Sequence, residues 1–194
     1  ELIESGFEPW IGELYVERAL DLCTGSGCIA IAMAHYNPDW QVEGVDISTE
    51  ALSLANENKQ RLYATNCEFI ESDLFKGVQG KVYDLIVTNP PYVTNDETDA
   101  LPKEYSYEPD LGLRAGVDGL DLALKILRDA PDHLSEHGLL ICEVGESEQH
   151  LIKLLPEVPF SWVGFKVGQM GIFVIDRQDL LAHHEKIKYF ADMR

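Results

Sequence analysis

Residues 19–34 read ALDLCTGSGCIAIAMA, and this stretch decides the fold. The apolar run that leads to Cys23 is typical of a buried β-strand, and the apolar run after Cys28 is typical of a helix. Between them, Gly25, Gly27 and Ala30 match the G-x-G-x-x-A spacing of a nucleotide-binding turn. The stretch therefore predicts a strand, a glycine turn and a helix, which together begin a parallel sheet.

The alternation of strand and helix continues along the chain. After the first strand at 18–23, strands are predicted at 41–45, 67–71, 83–88 and 139–144, with helices at 49–63, 119–134 and 146–155. A closing hairpin of residues 161–167 and 171–175 adds an antiparallel strand. This order predicts an α/β fold with a Rossmann-like, mostly parallel sheet of seven strands and helices on both faces.

Four regions carry weaker patterns. Residues 1–18 have apolar residues at roughly helical spacing, which predicts one or two short helices at the domain edge. Residues 93–117 show little periodicity, and irregular segments of this length are usually lids or binding loops. In the second predicted helix, Ala51, Ala55 and Leu62 are expected to face inward. The residues after 175 are polar and predict no further element.

Candidate binding residues lie where the predicted strands end. In open parallel sheets, ligands bind beyond the carboxyl ends of the strands, at the point where the strand order reverses. The turn 21–27 follows the first strand, Asp46 the second, Asp73 the third and Asn89 the fourth. Because these ends lie along one edge of the sheet, the four segments are expected to form a single site.

Three of these ends carry a carboxylate; Asp46 suits either kind of adenosine cofactor, and Asp21 and Asp73 favour one without phosphate. Asp46 is placed to accept hydrogen bonds from ribose hydroxyls, or else to cap the next helix. Asp21 precedes the glycine turn, where it would attract a cationic amino-acid group and repel a pyrophosphate. Asp73 is followed by Leu74 and Phe75, an arrangement suited to an adenine amine above an apolar shelf, or to a simple turn. The set favours S-adenosylmethionine over a nicotinamide dinucleotide.

Residues 89–92 read NPPY and follow a run of strand formers. The prolines have no N–H group, so the carbonyl oxygens of Asn89 and Pro90 lack local donors. Pro91 keeps the chain extended, the Asn89 side chain adds another carbonyl oxygen, and Tyr92 adds an aromatic wall. The motif predicts a fork of acceptors for a planar group that bears –NH2.

These motifs resemble those of class I methyltransferases with an NPPY motif, particularly the HemK/Prm group, which methylates glutamine side chains. Similarity to its PrmB-type subgroup extends over residues 21–30, 89–92, 101–105, 108–109 and 115–120. The resemblance implies methyl transfer from S-adenosylmethionine to the amide of a glutamine in the third protein of the large ribosomal subunit. It also implies an upstream recognition domain, with residues 1–18 as the remnant of a linker and 19–194 as the catalytic domain.

The resemblance also implies roles for individual residues. Catalytic roles are expected for Asn89, Pro90 and Tyr92, and substrate binding for the same residues together with Pro91. Cofactor contacts are expected from a larger set, namely Asp21, Cys23, Thr24, Gly25, Gly27, Asp46, Ile47, Asp73, Leu74 and Asn89. Cys23 stands where many relatives have glycine, so close backbone approach to the cofactor is in question there. Glu108 and Glu143 are candidates for secondary contacts, although a helix cap or a solvent-facing position is favoured for each.

The chain has 194 residues and a formal net charge of −19, which fits a single acidic domain. This charge disfavours direct binding to nucleic acid and favours a basic protein partner.

Cys23, Cys28, Cys67 and Cys142 lack CxxC and metal-ligand spacing. They are expected to be buried free thiols in a reducing compartment, which indicates the cytoplasm, and no metal is predicted. No apolar run reaches membrane-spanning length.

Three alternatives fit parts of the pattern. An adenine-methylating enzyme that acts on nucleic acid would use the same acceptor fork. A nicotinamide-dependent oxidoreductase would use the same glycine turn. A cofactor-sensing module would bind S-adenosylmethionine without transferring its methyl group. Thermal shifts with the two cofactors, followed by a labelled methyl-transfer assay, distinguish among them.

Overall fold

Seven β-strands form one sheet in the computed structural model, which describes residues 2–12, 14–92, 118–164 and 171–194. The strands are β1 (Arg18–Leu22), β2 (Gln41–Asp46), β3 (Cys67–Glu71), β4 (Tyr83–Thr88), β5 (Leu134–Glu143), β6 (Ser161–Trp162) and β7 (Ile172–Asp176). Their order is β3-β2-β1-β4-β5-β7-β6. Strands β1 to β5 are parallel, and β7 is antiparallel to β5 and β6. The predicted sheet is confirmed.

Helices cover both faces of this sheet. Those in the described ranges are α1 (Cys28–Tyr36), α2 (Thr49–Leu62), α3 (Asp121–Asp129), α4 (Glu148–Leu154), α5 (Arg177–Ala182) and α6 (His184–Asp192). Two apolar clusters result, one that contains Leu20 and Leu124 and one that contains Ala19 and Met33. Neighbours such as Ala19 and Leu20 fall in different clusters because successive strand residues point to opposite faces.

The strand order reverses between β1 and β4. Leu22 at the end of β1 lies opposite Val45 of β2 and Thr88 of β4. The Thr88 hydroxyl donates a hydrogen bond of 2.7 Å to the carbonyl oxygen of Leu22, which ties the two strand ends together. The three carboxyl ends therefore lie side by side, at the position where open α/β sheets bind ligands.

Residues 2–12 form consecutive turns, so the prediction of short helices at this edge is wrong. Gly6 and Gly12 have φ angles of 67° and 51°, outside the right-handed helical region, and Pro9 has no N–H to donate. The apolar residues are nevertheless used for packing, since Phe7 and Ile11 are buried in the second cluster. The apolar spacing therefore predicted burial correctly at this edge but predicted the wrong backbone conformation.

Two short helices follow β7 in the region where the sequence predicts no element. The Asp176 carboxylate caps α5 by accepting a hydrogen bond of 2.8 Å from the Asp179 backbone N–H. Helix α5 buries Leu180, and α6 buries Ile187 and Ala191. Three apolar residues divided between two helices are too few to give a visible period, which is why the sequence pattern misses them.

The boundary between α3 and β5 also differs from the prediction. Helix α3 stops at Asp129, because Pro131 in the following 3-10 turn cannot continue the helical hydrogen bonds. Strand β5 begins at Leu134, which lies opposite Tyr83 of β4. On α2, Leu62 is 61% exposed, so its predicted inward position is wrong. Leu52 is the buried residue that accompanies Ala55 on that helix.

A cluster of charged residues joins β2 to its neighbours. The Glu43 carboxylate accepts hydrogen bonds from Lys81 Nζ at 2.8 Å and from the Tyr83 hydroxyl at 2.5 Å, and Arg18 Nη2 lies 3.5 Å away. Burial acts to raise the pKa of Glu43, but these hydrogen bonds and the charges of Lys81 and Arg18 together hold it below its usual value. The ionised carboxylate therefore stabilises the fold.

Replacing Glu43 with alanine is expected to lower the free energy of unfolding by about 1–3 kcal/mol, because Lys81 and Tyr83 lose a charged partner. Since the folded pKa lies below the unfolded value of 4.5, this stabilisation is present above that pH and is lost as pH falls through the folded value. Urea unfolding at neutral and acidic pH measures both effects. Glu57→Ala, which removes an exposed pair with Arg61 at 3.7 Å, is the control. Equal losses in the two variants would contradict the prediction.

Candidate active site

The turn after β1 has the backbone geometry that its glycines predict. Cys23, Gly25 and Gly27 have φ angles of 63°, 54° and 81°. The Thr24 N–H donates to the Val45 carbonyl oxygen at 2.9 Å, which anchors the turn on β2. A positive φ is easy for glycine and strained for cysteine. This strain is a physical reason for the glycine that the resemblance places at position 23 in many relatives.

The two glycines of the turn serve different purposes. A Cβ on Gly27 would lie 2.6 Å from the Phe69 ring and 3.0 Å from the Ala55 side chain, so Gly27 permits close packing of α1 against α2 and β3. A Cβ on Gly25 would meet nothing within 4 Å. The backbone at Gly25 is therefore open on the side where a ligand could approach it.

Asp21 lies beneath this turn and is fully buried. Its Oδ2 accepts hydrogen bonds from the Thr24 hydroxyl at 2.5 Å and from the Ala30 N–H at 2.9 Å. Its Oδ1 is buried without a hydrogen-bond partner among the described residues. Burial raises the pKa of Asp21 to about 7, against the two hydrogen bonds, and the nearby charge of Asp46 adds to the rise. A cation held above the turn would stabilise the charged carboxylate.

The ligand-free protein is expected to lose stability between pH 3.8 and about 7 because of Asp21. In this interval the folded carboxyl keeps a proton that the unfolded chain has released, so the free energy of unfolding falls as pH rises. The slope from one such group is at most about 1.4 kcal/mol per pH unit. Asp21→Asn should remove the decline. Denaturant unfolding of both proteins across this interval tests it, and identical slopes would exclude Asp21 as the cause.

Asp46 connects the glycine turn to the start of α2. Its Oδ2 accepts from the Gly25 N–H at 2.8 Å, and its Oδ1 accepts from the Ser48 N–H at 2.9 Å. Ser48 itself caps α2 by accepting from the Ala51 N–H at 3.1 Å. Asp46 is half-buried, and each carboxylate oxygen has a second lone pair. The side chain can therefore hold the turn and still accept from a ligand hydroxyl. The neighbouring Ile47 is 54% exposed.

The segment after β3 presents one polar and one apolar group. Asp73 is exposed and pairs with Lys76 at 2.6 Å. Leu74, with a φ of 49°, is half-exposed beside it. Phe75 points inward, where it is buried and stacks on His133 with ring centroids 4.5 Å apart. Leu74 alone can therefore form the predicted apolar shelf, and the expected contribution of Phe75 is wrong.

The NPPY segment begins directly at the end of β4. The Asn89 side chain is exposed and makes no hydrogen bond to any described residue, while Pro90 is buried and Pro91 is half-buried. Among the described residues, no backbone group is hydrogen-bonded to the amide oxygen of Asn89. Since Thr88 is tied to Leu22 of β1, Asn89 follows a strand end that lies next to the glycine turn.

Tyr92 has a partner that the sequence did not predict. Its hydroxyl donates a hydrogen bond of 2.9 Å to Oε1 of Glu143, the last residue of β5. Burial raises the pKa of Tyr92 to about 12, and the charge and hydrogen bond of Glu143 add to the rise. The favoured prediction, that Glu143 is a cap or faces solvent, is therefore wrong, and Glu143 instead contacts a residue of the NPPY motif. Glu108 and the predicted loop 93–117 lie outside the described residues.

Two cavities are found, one away from the predicted site and one that begins at its edge. One of about 650 Å³ is at the opposite edge of the sheet, between Trp10, Tyr15 and Glu136 near the start of β5, and contains no predicted site residue. Another of about 520 Å³ extends from Asp73 and Leu74 towards α3. The polar residues at the strand ends therefore indicate the candidate site better than the cavities do. A sheet edge that binds a ligand on exposed backbone need not form a deep cavity.

The thiols and charged side chains give no metal centre in the described parts of the chain. No group of three His, Cys, Asp or Glu side chains there is close enough to hold an ion. Cys67 and Cys142 are buried and Cys23 is half-buried, but Cys28 is exposed at the start of α1, so its predicted burial is wrong. Within the same ranges, every helix is too short or too polar to span a membrane.

Known proteins similar to this chain are methyltransferases. Residues 11–104 match the family model of the methyltransferase small domain. The ribosomal protein uL3 glutamine methyltransferase of Xanthomonas campestris pv. campestris is 74% identical over all 194 residues, and that of Xylella fastidiosa strain Temecula1 is 67% identical over the same length. The chain spans 63% and 62% of these two relatives, less than two thirds of their length.

Among solved structures, a methyltransferase from Pyrococcus furiosus has the same fold. The two align with a TM-score of 0.58 at 22% sequence identity. The alignment covers 83% of this chain and 75% of the Pyrococcus furiosus chain. At that level of identity the similarity establishes the architecture of the sheet and its helices, and it carries no information about the substrate.

Proposed function

We propose that the chain is a member of the family of its relatives, the ribosomal protein uL3 glutamine methyltransferases, and that it transfers a methyl group from S-adenosylmethionine to the side-chain amide nitrogen of a glutamine in uL3. Residues 19–194 form the catalytic domain in this proposal, and residues 1–18 are an edge segment. The observation that carries it is the position of Asn89, whose exposed side chain follows the end of β4 beside the glycine turn.

The residues at the strand ends fit a cationic adenosine cofactor. Gly25 leaves its backbone open, and Asp46 can accept from ribose hydroxyls while it holds the turn. Asp73 and Leu74 offer an acceptor and an apolar contact for adenine, and the buried Asp21 favours a positive charge above it. A dinucleotide pyrophosphate would be repelled by this set. S-adenosylmethionine, when bound, supplies an electrophilic methyl group.

The role of Asn89 follows from the weakness of an amide as a nucleophile. The lone pair of a carboxamide nitrogen is delocalised into the carbonyl group, so the nitrogen attacks slowly. The Asn89 side-chain oxygen and the Pro90 carbonyl oxygen would accept its two N–H groups, and Tyr92 would stack on the amide plane. Pro91 keeps these groups in an extended segment. The hydrogen bonds raise electron density on nitrogen, and the fixed orientation aligns it for attack.

The charge of the chain supports a basic protein substrate. At a net charge of −19, long-range attraction would speed encounter with a positively charged partner. The same charge would repel the phosphates of free nucleic acid. Because the two named relatives act on a ribosomal protein, a basic protein of that class is the substrate that both charge and family favour.

The test is incubation of the chain with methyl-labelled S-adenosylmethionine, purified uL3 and, separately, ribosomal RNA. We expect label on one glutamine of uL3, identified by mass spectrometry, and none on RNA. Label on adenine would overturn the proposal in favour of nucleic-acid methylation. Binding without transfer to uL3 would indicate a cofactor sensor. A thermal shift with NADH and not with S-adenosylmethionine would indicate an oxidoreductase.

A further inference from the structure

The ring of Tyr92 is held from two directions by the end of β5 and the segment that follows it. At its tip, the hydroxyl donates to Glu143 at 2.9 Å. At its edge, Gly145 lies so close that a Cβ there would be 2.5 Å from Cε2 and 2.9 Å from Cδ2 of the ring. Only a residue without a side chain fits in that position. The ring therefore packs directly on backbone, which leaves it little room to rotate.

This support continues behind the ring. The Val144 N–H donates to the Gly171 carbonyl oxygen at 2.7 Å, and a Cβ on Gly171 would collide with the backbone of Gly145. A Cβ on Gly119 would likewise collide with the Tyr92 carbonyl oxygen. Glycines from three separate parts of the chain thus enclose Tyr92 and its supporting loop, with backbone in contact on each side.

The register of β4 against β5 explains why Glu143 lies beside Tyr92. Thr88, the last residue of β4, lies opposite Cys142 of β5, so Glu143 lies one residue beyond the end of the β4–β5 pairing. Tyr92 is four residues beyond Thr88 and folds back over that end. A carboxylate gives a stronger hydrogen bond to the tyrosine hydroxyl than water or an amide would. It also fixes the direction of the O–H group.

We propose that Glu143 is a positioning residue for methyl transfer: by holding the hydroxyl it fixes the direction of the long axis of the Tyr92 ring, while packing on Gly145 fixes the ring plane, and together they set the position of the substrate amide. This inference rests on the proposed function and extends it to a residue that is 51 positions away in sequence. Glu143 touches neither cofactor nor substrate and acts through Tyr92. Small errors in the alignment of reacting groups are costly, so loss of this support should appear in kcat.

The first test compares Glu143→Ala, Glu143→Gln, Tyr92→Phe and the double variant Tyr92→Phe/Glu143→Ala. Glu143→Ala is expected to lower kcat about 10-fold with unchanged cofactor affinity. Glu143→Gln should recover most of the rate, because its amide oxygen still accepts from Tyr92. The double variant should be no slower than Tyr92→Phe. Glu136→Ala, an exposed glutamate at the other end of β5, is the matched control and should retain the full rate.

The second test does not depend on methyl transfer. With 3-fluorotyrosine at position 92, ¹⁹F NMR titration reports ionisation of that ring, and Glu143→Gln should lower its pKa while Glu136→Ala should not. An unchanged pKa in Glu143→Gln, or additive rate losses in the double variant, would overturn the proposal. If wild-type protein methylates no glutamine, the proposed function fails, and the NMR result still decides whether Glu143 positions Tyr92.

Discussion

Replacing Asn89 with alanine is expected to lower the rate of glutamine methylation by at least about 100-fold, the usual cost of removing one group that binds the reacting centre. The side chain is exposed and makes no hydrogen bond to the described residues, so the fold does not depend on it. Its amide oxygen is proposed to hold the substrate nitrogen. The loss should therefore appear in kcat, with the affinity for S-adenosylmethionine and the free energy of unfolding unchanged.

The measurement is a single-turnover methylation assay with cofactor affinity determined in parallel by calorimetry. Asn56→Ala is the matched control, since Asn56 is an exposed asparagine whose amide bonds only within its own helix, to the Leu52 carbonyl oxygen at 2.8 Å. We expect full activity in that variant. If Asn89→Ala were as active as Asn56→Ala, the acceptor role of Asn89 would be falsified.

Replacing Asp46 with alanine is expected to weaken S-adenosylmethionine binding by about 1–3 kcal/mol, or about 5- to 150-fold in Kd. Two causes contribute. The variant would lose the acceptor proposed for the ribose hydroxyls, and it frees the Gly25 and Ser48 N–H groups, which Asp46 holds at 2.8 and 2.9 Å. The second cause also predicts a lower free energy of unfolding.

Calorimetry and urea unfolding on the same preparations separate these causes. Asp39→Ala, at an exposed aspartate in the loop before β2, is the control and should change neither quantity. An Asp46→Ala protein that is less stable yet binds S-adenosylmethionine with wild-type affinity would show that Asp46 only supports the turn. Its ribose role would then be withdrawn.

Sequence reasoning succeeded where the signal lies within a few consecutive residues. The glycine turn is predicted because Gly25 and Gly27 need backbone angles that other residues adopt at a cost. The strands β1, β4 and β5 are predicted because buried parallel strands are recognisable as apolar runs. The same dependence on apolar runs explains why helices α5 and α6 were missed, since their few buried residues form no run.

Side-chain direction was the weaker part of the prediction. Phe75 was expected beside the cofactor and instead stacks on His133, and Cys28 was expected to be buried and is exposed. Both follow a correctly predicted strand end or turn by only a few residues. A shift of one position along such a segment moves a side chain from the surface to the core, and the residue types alone do not specify that shift.

The sequence by itself determined the succession of strands and helices from β1 to β7, the glycine turn and the NPPY segment, because each depends on local backbone preferences and on apolar periodicity. Only the tertiary structure decided that Glu143 and Gly145 would meet Tyr92, and that Asp21 would lie under the turn with one oxygen unpaired. Those contacts depend on the register of β4 against β5 and on the reversal of strand order at β1. Pairings between residues so distant in the chain arise from the packing of the whole sheet.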